Sequence, residues 1–391
     1  MRILIAPDKF KGTLSAREVA EAIALGLRDV LPDTKIDIVP MADGGEETAE
    51  AISQALGGSW IQCKAHDPIG REIDARYAWI EKRALAVMEM SEAAGMRRLR
   101  SNELNPEVAT TFGVGEMISD AARRGAKEII IGLGGSATND GGFGMARSLG
   151  FRFLEQEKEQ EQKQEQEQEQ EQEQEQEIER VLELITLRKI ETSPNLKLPK
   201  IIAAVDVKNP LLGENGATRI FGPQKGVTPD GIDDFERALS RLADVVARQF
   251  GFDHRNEPGA GAAGGLGFGL LSFCGAKIRR GFDVVAETVG LASKMNDLDL
   301  VITGEGSLDR QTLEGKTPAG VARLAHKLGK RVFAFVGRAS DDPEPRKLFD
   351  GVYENARPAM SLEENMKRAP ELLRDNARQL AEDLKKTPTV S

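Results

Sequence analysis

Acidic residues recur in this chain where a strand should end and a glycine turn begin. Asp43-Gly44-Gly45-Glu46 has that form, and Asp140-Gly141-Gly142 repeats it. Asp206 closes an apolar run at 201–205 and is followed by Asn209-Pro210; Glu305 and Asp309 follow another run at 298–303. Ligands in open parallel sheets bind at the carboxyl ends of strands. Carboxylates placed there, beside glycine loops, suit Mg²⁺ held mainly through a substrate's phosphates and one or two protein oxygens. For Asp43 and Asp140 a turn or helix-capping role competes with that reading. For Asp206 it competes less, because no helix follows directly.

The glycine loops point the same way. Gly132–Gly142 follows an apolar strand and contains Gly134, Gly135, Ser136, Thr138, Asn139 and Asp140. Backbone N–H groups in such a loop can converge on an anion, the hydroxyls add donors, and a helix expected at about 142–149 adds its positive end. Residues 259–269 hold six glycines, Gly261, Gly264 and Gly265 among them. That stretch matches G-x-G-x-x-G but follows Glu257-Pro258 instead of a strand, so a nucleotide loop and close backbone packing stand as equal readings. Gly132-x-Gly134-x-x-Ala137 does follow a strand. It keeps a nicotinamide-dependent oxidoreductase as the alternative, although Thr138–Gly142 separates it from any helix.

Two lysines are candidate cations. Lys225 lies in Phe221-Gly222-Pro223-Gln224-Lys225-Gly226, a rigid turn. Lys316 lies in Glu314-Gly315-Lys316-Thr317, which looks like the end of a P-loop, but Arg310 stands where that motif's first glycine belongs. A P-loop is therefore excluded. No G-x-S-x-G, H-E-x-x-H or C-x-x-C occurs, and His66, His254 and His326 share no motif, which leaves hydrolase-elbow, zincin and redox chemistry without support. Phosphoryl transfer needs donors around phosphates, a divalent cation, a cation for developing charge and an acid group near the attacking hydroxyl. Each part is present.

These residues need a scaffold of parallel strands. Arg2–Ala6 reads as a buried strand, Ser15-Ala16-Arg17-Glu18 as a capping box, and Val19, Ile23, Leu27 and Val30 as the apolar stripe of the helix it starts. A strand at 35–39 and a helix at 46–56 follow. Near the other end the same grammar returns: a strand at 298–303, a helix opened by Thr317 as cap and Pro318, and a strand at 331–336. Alternation of this kind gives an α/β fold with helices on both faces of a parallel sheet. The expected architecture has two domains. Residues 1–60 and 285–391 build a discontinuous Rossmann-like domain, residues 61–284 form an inserted α/β domain, and the site lies in the cleft between them.

Composition limits the alternatives. The chain has 391 residues, 40% hydrophobic, with a formal net charge of −10. The Glu/Gln tract at 155–177 holds 11 Glu against two Lys, nine of those ten charges. The remainder is electrically balanced, so no basic field argues for nucleic acid. The tract has no apolar residue to bury and reads as a solvated loop-tip expansion without catalytic role. Cys63 and Cys274 are in no metal or redox spacing, no apolar run reaches the ~18 residues of a membrane span, and the opening apolar run breaks at Pro7, short of a signal peptide. A cytoplasmic protein is expected; the oligomeric state is left open.

Read together, Ala6-Pro7-Asp8-Lys9-Phe10-Lys11-Gly12, Ala42–Glu46, Gly135–Gly142, Gly222–Gly226, the loop 259–269 and Ile302-Thr303-Gly304-Glu305-Gly306 with Gln311-Thr312 resemble the bacterial glycerate kinases, in order, over about residues 1–357. The resemblance implies phosphorylation of glycerate by ATP with Mg²⁺, usually of D-glycerate at its 2-hydroxyl, with the 3-hydroxyl or a related hydroxy acid as alternatives. On this basis Asp43, Asp206, Asp309 and Lys316 are expected to be catalytic, and Asp43 and Asp206 to hold Mg²⁺. Asp8, Lys11, Ser136, Thr138, Asn139, Asp140 and Lys225 are expected to bind substrate. Gly134, Gly135, Gly261, Gly264, Gly265, Gly304, Glu305 and Gly306 are expected to bind the nucleotide. Two positions depart from the family pattern: Glu47, where glycine is frequent, and Ser307, where arginine is.

Overall fold

In the computed structural model, residues 1–155, 176–192, 196–313 and 315–386 are described. The chain divides into two compact units. One comprises Met1–Ser59, Ala78–Ile80 and Arg279–Ser391; the other comprises Trp60–Tyr77 and Glu81–Ile278.

The first unit is built on five parallel strands in the spatial order Gly351–Glu354, Arg331–Ala339, Leu300–Leu308, Arg2–Ile5, Lys35–Ile38. Numbered along the chain this is the order 2-1-3-4-5. Its switch point falls between Arg2–Ile5 and Leu300–Leu308, where an open α/β sheet forms its ligand crevice. Ser15 caps the helix Ala16–Val30, with the reciprocal Glu18 bond of a capping box, and Val19, Ile23 and Leu27 are fully buried against Ile3, Ile5 and Phe335. The last helix, Ala369–Lys386, closes over the same face. Leu373, Ala377 and Leu380 join that core, and Arg374 and Arg378 both donate to Asp29. The approach is close. A Cβ on Gly26 would lie 2.2 Å from the Arg374 carbonyl oxygen and 2.7 Å from the Ala377 Cβ. Because the obstacle is backbone, Gly26→Ala is expected to cost about 1–3 kcal/mol, read as a drop in the urea midpoint. An unchanged midpoint would mean that the two helices can slide apart freely.

Several of the strands and helices expected from the sequence differ in extent. The strand at 298–303 runs instead from Leu300 to Leu308, because Arg331–Ala339 extends beside it in register through Leu308↔Ala339. Gly306 and Gly337 permit this: a Cβ on Gly337 would meet the Gly306 carbonyl at 2.4 Å. The helix at 46–56 starts only at Thr48, since Glu47 is left-handed with φ +72°. Thr317 is the first helical residue and Lys316 occupies the cap position.

The second unit carries most of a six-stranded sheet in the order Lys277–Arg280, Lys200–Val205, Glu128–Gly132, Leu85–Glu89, Glu72–Ile80, Ser59–His66. Its central three strands are parallel. A small antiparallel sheet pairs Arg152–Glu155 with Gln176–Glu177 and Leu187–Glu191. Most of the Glu/Gln tract lies outside the described residues; its flanks, Glu155 and Gln176, are paired partners. Among the described residues no helix is long and apolar enough to cross a membrane.

Candidate active site

In the first unit the switch point holds a cavity of about 480 Å³ lined by Asp8, Lys11, Asp43, Glu305, Gly306 and Lys316, among others. Backbone bonding explains why these residues meet. The Asp8 amide donates to the Gly304 carbonyl (2.8 Å), and the Ala6 amide to that of Ile302 (2.7 Å), so the segment after the first strand follows Leu300–Leu308 upward. The Met41 amide donates to the Pro7 carbonyl (2.9 Å), which brings Asp43 to the same edge. Asp43 Oδ1 accepts from the Gly45 amide (3.3 Å), an Asx turn. Close approach fixes that loop: a Cβ on Gly281 would lie 1.7 Å from the Asp43 carbonyl oxygen.

The electrostatics are those of crowded carboxylates. Burial, and then the neighbouring Asp43 charge, push Asp8 up to about 7, against the opposing pull of the Lys9 amide and ammonium. Glu305 is also raised to about 7, mainly by burial and further by Asp309 and Asp43, while Lys316 opposes the shift. The Thr312 hydroxyl donates to Glu305 Oε1 (2.6 Å). Lys316 Nζ donates to Gln311 Oε1 (3.2 Å). Asp309 lies outside the cavity lining; its Oδ1 accepts from the Gln311 amide (2.9 Å) and caps the short helix Arg310–Leu313. Gly304 and Gly306 are strand residues and not loop residues. Lys9, Arg338 and Asn355 also line the cavity and were missed. Asn355 follows the strand Gly351–Glu354, so the strand-end rule would have found it had that strand been recognised.

In the second unit Asp206 and the loop Leu133–Gly142 leave adjacent parallel strands, whose last pairing is Ala204↔Gly132. Asp206 is exposed. Ser136, Thr138, Asn139 and Asp140 are buried, as is Lys225. The Lys225 ammonium donates to the Thr138 carbonyl (2.6 Å), and burial pulls its pKa down to about 7 although Asp140 opposes this. Asp140 accepts from the Thr111 amide and hydroxyl (2.8 Å each) and from the Gly142 and Gly144 amides (3.1 Å each). The helix that follows is only Phe143–Ser148, and its first amides are thus taken by Asp140. Its positive end is not available to an external anion, which corrects the expectation for 142–149. The Ala137 and Gly141 amides also bond within the protein, to Ala94 and Gly264 carbonyls. Among the loop's buried side-chain atoms, Thr138 Oγ1 and Asn139 Oδ1 have no partner among the described residues.

The glycines of 259–269 are accounted for by packing. A Cβ on Gly261 would lie 2.1 Å from the Pro210 carbonyl oxygen, one on Gly264 1.9 Å from that of Thr138, and one on Gly265 2.8 Å from Gly141 Cα. Ala263, Gly264 and Gly265 are left-handed and bend the entry to the helix Ala262–Cys274. Their shape supports the loop 138–142. Gly135, at φ +72°, offers its carbonyl to the Met96 amide (2.9 Å). Gly134 lies beside it, in the turn that leaves the strand Glu128–Gly132.

The family model for the "Glycerate kinase family" matches residues 3–385. The chain belongs to the glycerate kinase family. A glycerate kinase of Halalkalibacterium halodurans is 38% identical over 381 residues, 97% of each chain. A glycerate 2-kinase of Escherichia coli K12 is 40% identical over 345 residues, 88% of this chain and 86% of the relative. The fold matches that of a protein assigned as a glycerate kinase 2 from Salmonella typhimurium LT2, at TM-score 0.84 and 38% identity over 99% of this chain and 98% of the other. Membership in this kinase family makes the protein a phosphotransferase and removes the nicotinamide alternative. The Gly132-x-Gly134-x-x-Ala137 run enters the bent loop 138–142 and not a helix.

Glycerate kinase resemblance gave glycine as usual at position 47, and the left-handed φ there supplies the reason. In this chain burial raises the pKa of the Glu47 carboxyl, against the pull of Lys9 and the Ala16 amide. Ser307, where arginine is frequent, accepts from Arg338 Nε (3.3 Å).

Proposed function

We propose that this protein transfers the γ-phosphoryl group of ATP, with Mg²⁺, to the 2-hydroxyl of D-glycerate, giving 2-phosphoglycerate and ADP. The observation that carries the reading is the first unit's cavity, where Asp8, Asp43 and Glu305 meet Lys11 and Lys316 at the sheet's switch point. The donor set suits Mg²⁺ in one respect. Hard carboxylate oxygens are present at Asp8, Asp43 and Glu305. Such oxygens suit an ion held mainly through phosphates and one or two carboxylates. Asp43 is the carboxylate proposed for Mg²⁺ ligation in this cavity, and Asp206, at a strand end of the second unit, is a separate candidate ligand. Bound there, the ion would neutralise charge on the phosphates.

Asp8 is proposed as the proton acceptor. A carboxyl held near 7 by burial and by Asp43 is basic enough to take a hydroxyl proton at neutral pH. As that proton leaves, the glycerate oxygen bonds to the γ-phosphorus and the bond to the ADP oxygen breaks. Lys11 and Lys316 stabilise the charge that spreads over the transferring group. Ser136, Thr138, Asn139 and Lys225 are proposed to hold substrate, with Thr138 Oγ1 and Asn139 Oδ1 the side-chain atoms left without a partner among the described residues. ³¹P NMR with MgATP and D-glycerate is the direct test. A phosphomonoester resonance matching 2-phosphoglycerate, growing with ADP and absent without Mg²⁺, is expected. A 3-phosphoglycerate resonance would move the acceptor to the other hydroxyl, and no product would refute the reading.

A further inference from the structure

We propose that the apolar side chains lining the first unit's cavity seat the purine ring of the nucleotide, and that Asn355 is the side chain that reads it. This rests on the phosphoryl-transfer reading above. The cavity is lined by side chains of two chemical kinds: the carboxylates and lysines named above, and the apolar Phe10, Ala356, Leu362, Met366 and Ala369. Its volume of about 480 Å³ falls within the usual range for cofactor sites, which are mostly apolar with a few fixed polar groups.

Asn355 is one such fixed group. It follows the strand Gly351–Glu354, is 3% exposed and forms part of the cavity wall. A chain of bonds sets its orientation. Arg357 Nη2 donates to Asn376 Oδ1 (2.8 Å), so the amide nitrogen of Asn376 faces the other way. That nitrogen donates to the Glu354 carbonyl (3.1 Å) and to Asn355 Oδ1 (2.9 Å). Asn355 therefore turns its oxygen to Asn376, and its Nδ2 has no partner among the described residues. A buried donor left unpaired costs about 1–3 kcal/mol, a cost that an acceptor entering from the cavity would relieve.

The rim supplies a second observation. Leu362 and Met366 lie on the short helix Leu362–Lys367 and are 71% and 36% exposed. Asn365 holds this helix in place through its bonds to Arg357, Met360 and Ser361. Large apolar side chains fixed at the mouth of a cavity are surface for a ligand to cover. A purine satisfies both demands. Its faces cover Phe10, Leu362 and Met366, and a ring nitrogen accepts from Asn355 Nδ2. Glycerate, small and anionic, offers no such face. With the ring against these side chains, the phosphates are placed to meet Lys11 and Lys316 of the same cavity lining.

Calorimetric titration with two probes tests this: MgADP, and magnesium tripolyphosphate, which has the charge without the ring. Asn355→Asp keeps the bond from Asn376 but replaces the donor by an acceptor. It is expected to weaken MgADP binding about tenfold or more and to leave tripolyphosphate binding within about twofold. Leu362→Ser, at an exposed position where folding is not at risk, is expected to weaken MgADP about threefold. If both variants bind MgADP like the wild type, or if N355D loses both probes equally, the assignment of the ring is overturned while the kinase reading stands. If the wild-type protein binds neither probe and makes no phosphoglycerate, both readings fall.

Discussion

Asp8→Asn is expected to lower turnover by about 10²–10⁴-fold while making the free protein more stable at pH 8. Both effects have one cause. The Asp8 carboxyl is partly buried in the cavity wall near Asp43, and burial together with that charge pushes it up to about 7. Above that pH it is charged at a site that disfavours the charge, and asparagine removes the penalty. The sign follows from proton linkage. A carboxyl with a raised folded-state pKa keeps its proton between about pH 4 and 7, where the unfolded chain has released it. Stability is therefore greatest below about 4, falls as the pH rises through the window, and levels off above about 7. Glu305, raised to about 7 in the same cavity, adds a second contribution of the same sign. Each group contributes at most about 1.4 kcal/mol per pH unit. In D8N one of the two contributions disappears. Urea midpoints of wild type and D8N should then converge near pH 4 and diverge toward pH 8, with D8N higher by about 1–3 kcal/mol. A wild-type midpoint that rises from pH 5 to 8, together with near-normal D8N turnover, would remove Asp8 from the proposed mechanism.

The opposite outcome is expected at Asp140, a residue of similar local sequence. Its carboxylate is buried and accepts four hydrogen bonds, two from Thr111 and one each from the Gly142 and Gly144 amides. It is also the carboxylate whose charge supports the ammonium of buried Lys225. Asp140→Ala strands these donors and leaves Lys225 without that support. A loss of about 3–5 kcal/mol is expected, with activity lost through collapse of the loop 133–142. Asp140→Asn keeps one acceptor oxygen and should retain part of the stability. Thermal and urea denaturation of the two variants measures this; a loss below about 1 kcal/mol for the alanine variant would show that the loop holds its shape without the carboxylate. Asp8 thus costs stability and serves chemistry, whereas Asp140 organises the backbone on which Thr138 and Asn139 are presented.

That contrast was only half visible in the residues themselves. Asp43-Gly44-Gly45 and Asp140-Gly141-Gly142 are the same pattern, and turn chemistry predicts an Asx turn at each, which is what both form. Only Asp140 also reaches Thr111, 29 positions away. The lysines show the same limit. Lys225 and Lys316 both sit in glycine turns, yet one is 1% exposed and bonded to a backbone carbonyl while the other lines a cavity. The glycine run 259–269 fits a nucleotide loop by spacing, but its residues are small because the chain 138–142 and Pro210 lie against them.

Local sequence determined the elements that depend on near neighbours. The capping box at Ser15, the stripe Val19–Ile23–Leu27, the apolar strands and the motifs that mark a glycerate kinase are all written in short windows. Tertiary structure decided which strands lie side by side. Arg2–Ile5 pairs with Leu300–Leu308 across almost 300 residues, and this pairing alone puts Asp8 beside Glu305. Burial, charge crowding and the raised pKa values follow from that neighbourhood, because desolvation and Coulomb energy depend on distance in space and not along the chain.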